Sequence, residues 1–142
     1  MEFPSLFLFT TMRYSNYIGV FAGVLVLVLS FQNWIYIPSL QIHVTGMGAA
    51  VKTVFGKPAL MHFYLLPVMF VLFLVPKIWA KRINPFVGAI NFAWAFRNLL
   101  LLSTCRNGEC PEKTSMLYVY FFAALIVLIM SMLPRIKTTS SK

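Results

Sequence analysis

Apolar residues along this chain gather into four long blocks, separated by short stretches in which charges, prolines and glycines collect. The blocks run from Tyr17 to about Trp34, from Ala59 to Pro76, from Phe86 to Leu102 and from Met116 to Leu133. Each holds roughly 17 or 18 residues, the short end of what crosses a hydrocarbon core about 30 Å thick. Nearly every position within a block is apolar, so no period can be read inside it. Helix is the expectation all the same, because lipid admits only helices or closed barrels, and barrel strands would alternate. Ser15 and Asn16 stand before the first block as candidate N-caps. Pro67 should kink the second helix near Phe63, since it removes a backbone donor.

The stretch from Ile35 to Lys57 reads differently. Leu40, Ile42 and Val44 alternate with Gln41, His43 and Thr45, the period of a half-buried strand. Gly46-Met47-Gly48 supplies turn residues, and Val51 to Phe55 offers a returning strand. Gly56-Lys57-Pro58 then ends the hairpin, proline being acceptable in a first helical turn. Trp34, Tyr36 and Pro38 are expected to anchor this hairpin at headgroup level. Residues Met1 to Tyr14 are too few to span and are expected to lie along the interface. A cleaved signal ending near Val28-Leu29-Ser30 fits less well, because the region before Arg13 is long, apolar and contains Glu2.

Composition agrees with the blocks. Of 142 residues 60% are hydrophobic and 11% charged, with mean hydropathy +0.81. A soluble domain is about a quarter charged, so most of this chain is expected to have lipid as its solvent. The net charge of +9 would suggest nucleic acid in a soluble protein. Here the cations cluster between and after the apolar blocks, with no basic helix face, so no nucleic-acid partner is expected. Lys77, Lys81 and Arg82 mark the loop between the second and third helices as cytoplasmic, and Arg135, Lys137 and Lys142 do the same for the C-terminus. Lys52 and Lys57 argue the other way but are fewer, while Arg106, Glu109, Glu112 and Lys113 cancel. The expected form is an all-α membrane protein, one domain over residues 1–142. It is a bundle of four transmembrane helices with a small outer β-hairpin at 35–57 between helices 1 and 2. The expected location is a cell inner membrane, with both termini cytoplasmic.

Two cysteines, Cys105 and Cys110, share the predicted outer loop, where thiols oxidise. Asn107-Gly108 between them is a strong turn dipeptide, so a disulfide is expected. The rival reading is a redox pair exchanging electrons with a quinone or a partner thiol. It lacks Cys-X-X-Cys spacing and a second cysteine pair to relay electrons. Two cysteines alone do not complete a structural zinc site, so neither metal nor cofactor is expected.

The third block holds the most informative polar residues. Asn91, Trp94 and Asn98 recur at helical spacing on one face, and Arg97 lies about a turn and a half from the outer end. Near a helix end an arginine can snorkel to the headgroups. No acidic residue lies in any block to meet it, because the chain's three acidic residues are Glu2, Glu109 and Glu112. Its candidate partners are backbone carbonyls, Glu109 or Glu112, lipid phosphate, or another protein's carboxylate. If the helices are neighbours, His62 joins Arg97 and Asn98 near the outer interface, with Tyr64 nearby. That group is either a small polar pocket for an anionic headgroup or quinone carbonyl, or a set of separate interfacial residues. Gly19 and Gly23, with Ser30 beyond, form a small-residue seam for close packing of the first helix.

The layout resembles the claudin-type arrangement in helix count, in Trp34 after helix one, and in the first outer hairpin. It departs by placing both cysteines in the second outer loop. The Trp34-Ile-Tyr-Ile-Pro38 stretch, Gly56-Lys57-Pro58 and the run from Arg97-Asn98 to Cys105, Cys110, Pro111 and Glu112 are similar to small four-span bacterial inner-membrane proteins of unknown function. That resemblance covers residues 30 to 135 and implies no activity. With no aspartate and no intramembrane carboxylate, acid–base catalysis and cation-coupled pumping are hard to build. The leading expectation is a non-catalytic accessory or scaffold protein, in contact with lipid and with another membrane protein or itself. The alternatives are a quinone-linked thiol–disulfide enzyme using Cys105 and Cys110, or a small lipid- or ligand-binding transporter using His62 and Arg97.

Overall fold

The computed structural model describes the backbone of residues 3–49, 56–106 and 108–133, with side chains from Tyr14 onward. In chain order the elements are α1 (Phe3–Leu29), β1 (Asn33–Ile37), β2 (Ile42–Thr45), α2 (Leu60–Leu74), α3 (Ile78–Ser103), β3 (Glu112–Lys113) and α4 (Ser115–Met132). The four helices form a bundle in which α1 packs on α2 and α4, and α3 packs on the same two. Two of them, α3 and α4, are long and apolar enough to cross a membrane; Tyr14–Leu29 of α1 and all of α2 are shorter apolar helices.

Each helix boundary has a local cause. α1 is not preceded by a separate interfacial segment: its backbone is continuous from Phe3. Ser15 and Asn16 are inside it rather than capping it. Ser15 Oγ donates to the Leu133 carbonyl at 2.7 Å, and Asn16 Oδ1 accepts from Lys81 Nζ at 3.1 Å. α2 is only 15 residues long, about 22 Å at 1.5 Å per residue. It keeps Pro67 within it, and it stops before Pro76 because that ring pushes Val75 into extended backbone (φ −72°, ψ 118°). α3 starts at Ile78, eight residues before the predicted Phe86, and carries Pro85 inside it. Lys81 and Arg82 are therefore helical rather than in a loop. Lys81 is buried and donates to the Phe73 carbonyl at 2.6 Å and the Leu72 carbonyl at 3.4 Å. Its ammonium thus satisfies carbonyls left open at the C-terminus of α2.

The hairpin exists with a different register. Asn33–Ile37, which contains the expected anchors Trp34 and Tyr36, is the first strand; it pairs antiparallel with β2 through Ile35↔Val44, Tyr36↔His43 and Ile37↔Ile42. The chain reverses at Pro38–Gln41, where Gln41 has φ 51°. Gly46-Met47-Gly48 does turn the chain, closed by Thr45 and Gly48 exchanging backbone hydrogen bonds at 3.0 and 3.1 Å. The proposed return strand at Val51 to Phe55 lies outside the described residues. β3 adds a third strand, pairing with β1 through Ile35↔Lys113 and Tyr36↔Glu112. The sheet order is β2-β1-β3, so β1 is central.

Trp34 does not face outward as an anchor would. It is fully buried beneath the sheet, its indole N–H donated to the Leu29 carbonyl at 2.8 Å and its ring 4.2 Å from that of Tyr120. Gly46 is required at this point, because a Cβ there would lie 2.7 Å from Trp34 Cζ2 and 2.8 Å from the Ser30 carbonyl. The small-residue seam of α1 faces inward. A Cβ on Gly19 would meet the Phe73 ring at 2.5 Å, and one on Gly23 the Phe70 ring at 2.4 Å. The seam lets two aromatic rings of α2 seat against the α1 backbone.

Candidate functional site

Two helices and an interhelical turn bring four polar side chains together at the end of the bundle where α2 begins, and a fifth meets them from α4. Asn91, Trp94 and Asn98 share one face of α3, as their spacing implied, and that face points at the start of α2. Pro58, two residues before α2, has a carbonyl that accepts both the Trp94 indole N–H at 2.7 Å and Asn98 Nδ2 at 2.8 Å. His62 lies one turn further along, fully buried, with Nδ1 2.6 Å from Asn91 Oδ1. Its other nitrogen, Nε2, is bonded to the hydroxyl of Tyr120, which also receives Asn98 Nδ2 at 3.2 Å.

The carbonyl of Pro58 fixes the orientation of the Asn98 amide. A carbonyl only accepts, so the Asn98 group beside it is the amide nitrogen rather than the oxygen. Asn98 then donates to Tyr120. Because Asn91 Oδ1 faces Nδ1, the neutral imidazole carries its proton there and donates it, and Nε2 accepts from the Tyr120 hydroxyl. The sequence runs from α3 to α4 to α2 and back to α3. Among the described residues, Asn91 Nδ2 and Asn98 Oδ1 are left without a hydrogen-bond partner.

Interhelical hydrogen bonds in membrane proteins are worth on average about 0.6 kcal/mol and at most about 1.7. Several bonds that share atoms lock three helices at one relative height. Burial keeps the imidazole away from solvent and from any large substrate.

Arg97 is not part of the network. It lies on the exposed side of α3, its guanidinium carbon 4.7 Å from the centroid of the Trp94 ring. Around it is an open groove of about 390 Å³ lined by Ala93, Phe96, Arg97, Leu100, Leu101 and Thr104. The expected meeting of His62, Arg97 and Asn98 thus divides in two: His62 and Asn98 join through Tyr120, and Arg97 points outward. Neighbouring helical positions one residue apart face about 100° away from each other, so Asn98 inward places Arg97 outward. Tyr64 is also exposed and contributes nothing to the network.

Tyr120 is the member that sequence reading missed. It sits in an apolar run and looks like one more aromatic, although a phenol buried in a bundle needs a partner for its hydroxyl. The signal available was the pairing of that need with His62, which also lacked one.

Cys105 and Cys110 form a disulfide in the loop after α3, with S–S 2.00 Å and Cα–Cα 4.2 Å. Arg106 and Glu109 exchange backbone hydrogen bonds, each 2.9 Å, and Gly108 takes φ 80° to close the turn. Asn107 lies outside the described residues. Both cysteines are exposed and stand apart from the buried network. Among the described residues, no three metal-ligating side chains converge. No family model matches the chain, no curated protein matches its sequence, and no solved structure matches its fold.

Proposed function

We propose that this protein is a four-span integral membrane protein with both termini in the cytoplasm, acting as a non-catalytic scaffold or accessory unit for a larger membrane protein. The observation that carries the membrane part is the outer surface of the bundle. Tyr17, Phe21, Val24 and Val28 on α1 are exposed, as are Tyr64, Val68 and Val71 on α2, and Phe122, Ile126 and Ile129 on α4. Each set follows helical spacing, and together they surround the bundle with apolar surface that water would not tolerate. Four spans follow if α2 is read as a short span, its outer end covered by the Pro58 turn. The orientation rests on Lys77, Lys81 and Arg82 at the α2–α3 corner, opposite the disulfide loop.

The scaffold part is supported by the use to which the buried polar groups are put. His62, Tyr120, Asn91 and Asn98 bond to one another and to Pro58, and their effect is to hold helices in register. The exposed disulfide favours a second reading, a thiol–disulfide enzyme linked to quinone, which predicts a redox phenotype when the cysteines are replaced at normal abundance. Extraction from the native membrane in mild detergent tests the first reading. A protein partner retained in stoichiometric amount is the expected outcome; a lone particle would refute the accessory role.

A further inference from the structure

The turn of α3 that carries Arg97 lies at a recognisable height. Its flanking residues Trp94 and Asn98 both bond to the Pro58 carbonyl, just before α2 begins. Asn98 also bonds to Tyr120, which stacks on Trp34, and Trp34 bonds to the last residue of α1. Arg97 is therefore level with the outer ends of α1 and α2, where hydrocarbon gives way to headgroups. Indole rings favour that same boundary.

We infer that the groove on the exposed face of α3 holds one net-anionic glycerophospholipid, with its phosphate on Arg97. The inference rests on the membrane reading above but not on the accessory role. The guanidinium lies over the Trp94 ring, and stacking leaves the N–H donors at its edge free. Among the described residues no carboxylate or carbonyl takes those donors. A phosphate diester matches the planar fork with paired oxygens and neutralises its charge. Toward the membrane interior, Ala93 opens the floor of the groove beside Phe96, about 6 Å below Arg97 at 1.5 Å per residue. An acyl chain attached to that phosphate would run down this floor. Leu100, Leu101 and Thr104 bound the headgroup on the outer side.

A second copy of the chain is a poor occupant. Its helices carry no carboxylate, since the acidic residues are Glu2, Glu109 and Glu112, and pairing two such faces would set arginine near arginine. A foreign helix with a carboxylate would match the charge, but the groove is open and built by α3 alone. A flexible chain follows such a shallow surface more readily than a second rigid cylinder does.

The test uses the purified full chain in non-ionic detergent, with phosphatidylglycerol or phosphatidylcholine added and bound lipid counted by native mass spectrometry. Wild type should hold one phosphatidylglycerol at least about ten-fold more tightly than phosphatidylcholine, as a charge-assisted contact implies. Arg97→Gln should lose that preference, Ala93→Trp should lose the lipid while keeping the arginine, and Arg82→Gln, at the other end of α3, should change neither. Equal retention by wild type and Arg97→Gln would overturn the site. So would a photocross-linker at position 100, with Arg97 intact, that captures a protein rather than lipid in intact membranes. Release of the wild-type chain by alkaline carbonate would sink the membrane reading itself. A carbonate-resistant chain with unchanged lipid in Arg97→Gln would sink only this site.

Discussion

Replacing Tyr120 with phenylalanine isolates the energetic role of the buried network. The ring remains, so its stacking on Trp34 at 4.2 Å and its edge contact with His62 at 5.4 Å persist. One oxygen is removed. Asn98 Nδ2 loses its 3.2 Å partner but keeps the shorter bond to Pro58. His62 Nε2 loses its partner outright and is left as a buried acceptor. Two interhelical bonds at the membrane average of about 0.6 kcal/mol each give about 1.2 kcal/mol for Tyr120→Phe, roughly an eight-fold fall in the folded-to-unfolded ratio. Reversible unfolding in mixed micelles of non-ionic detergent and dodecyl sulfate measures it. A double-mutant cycle with His62→Leu should return a coupling above about 0.5 kcal/mol, because the two groups share one bond. A loss below that size, or strict additivity with His62→Leu, would refute the argument that this network locks the helices.

Three further outcomes are expected. Gly23→Leu, whose side chain would enter the space of the Phe70 ring, should lower the unfolding midpoint by an overpacking cost of about 1–3 kcal/mol, and an unchanged midpoint would mean that α1 and α2 do not meet there. Replacing both Cys105 and Cys110 with serine should cost about 2 kcal/mol through the entropy of the freed loop, read from the same unfolding curves with and without reductant. Lys81→Met should leave the Phe73 and Leu72 carbonyls without their ammonium donor and loosen the α2–α3 corner; faster amide exchange in the last turn of α2 is the expected reading, and unaltered exchange there would count against the capping role.

Some features were legible because they depend on neighbours along the chain. The length and apolarity of α4 appear directly in Met116 to Leu133, and the observed helix is shifted by a single residue. The disulfide followed from two cysteines separated by a turn dipeptide, since closure of so short a loop is decided locally. The common face of Asn91, Trp94 and Asn98 followed from helical spacing. Other boundaries were misread because a local signal competed with a distant one. Lys81 and Arg82 look like loop residues until the open carbonyls of α2 give Lys81 a reason to be helical and buried. Trp34 and Tyr36 read as interfacial anchors until Val44 and Lys113, further along the chain, offer their segment strands to join.

The division between the two kinds of knowledge is therefore physical. Hydropathy, turn chemistry and helical period act over a few residues, so they determined that apolar helices exist, roughly where, and which residues share a face. The partner across a helix interface is chosen by three-dimensional packing. Only the bundle could seat Tyr120 against His62, direct the Asn98 amide through the Pro58 carbonyl, and turn Arg97 away from both toward the open side of α3.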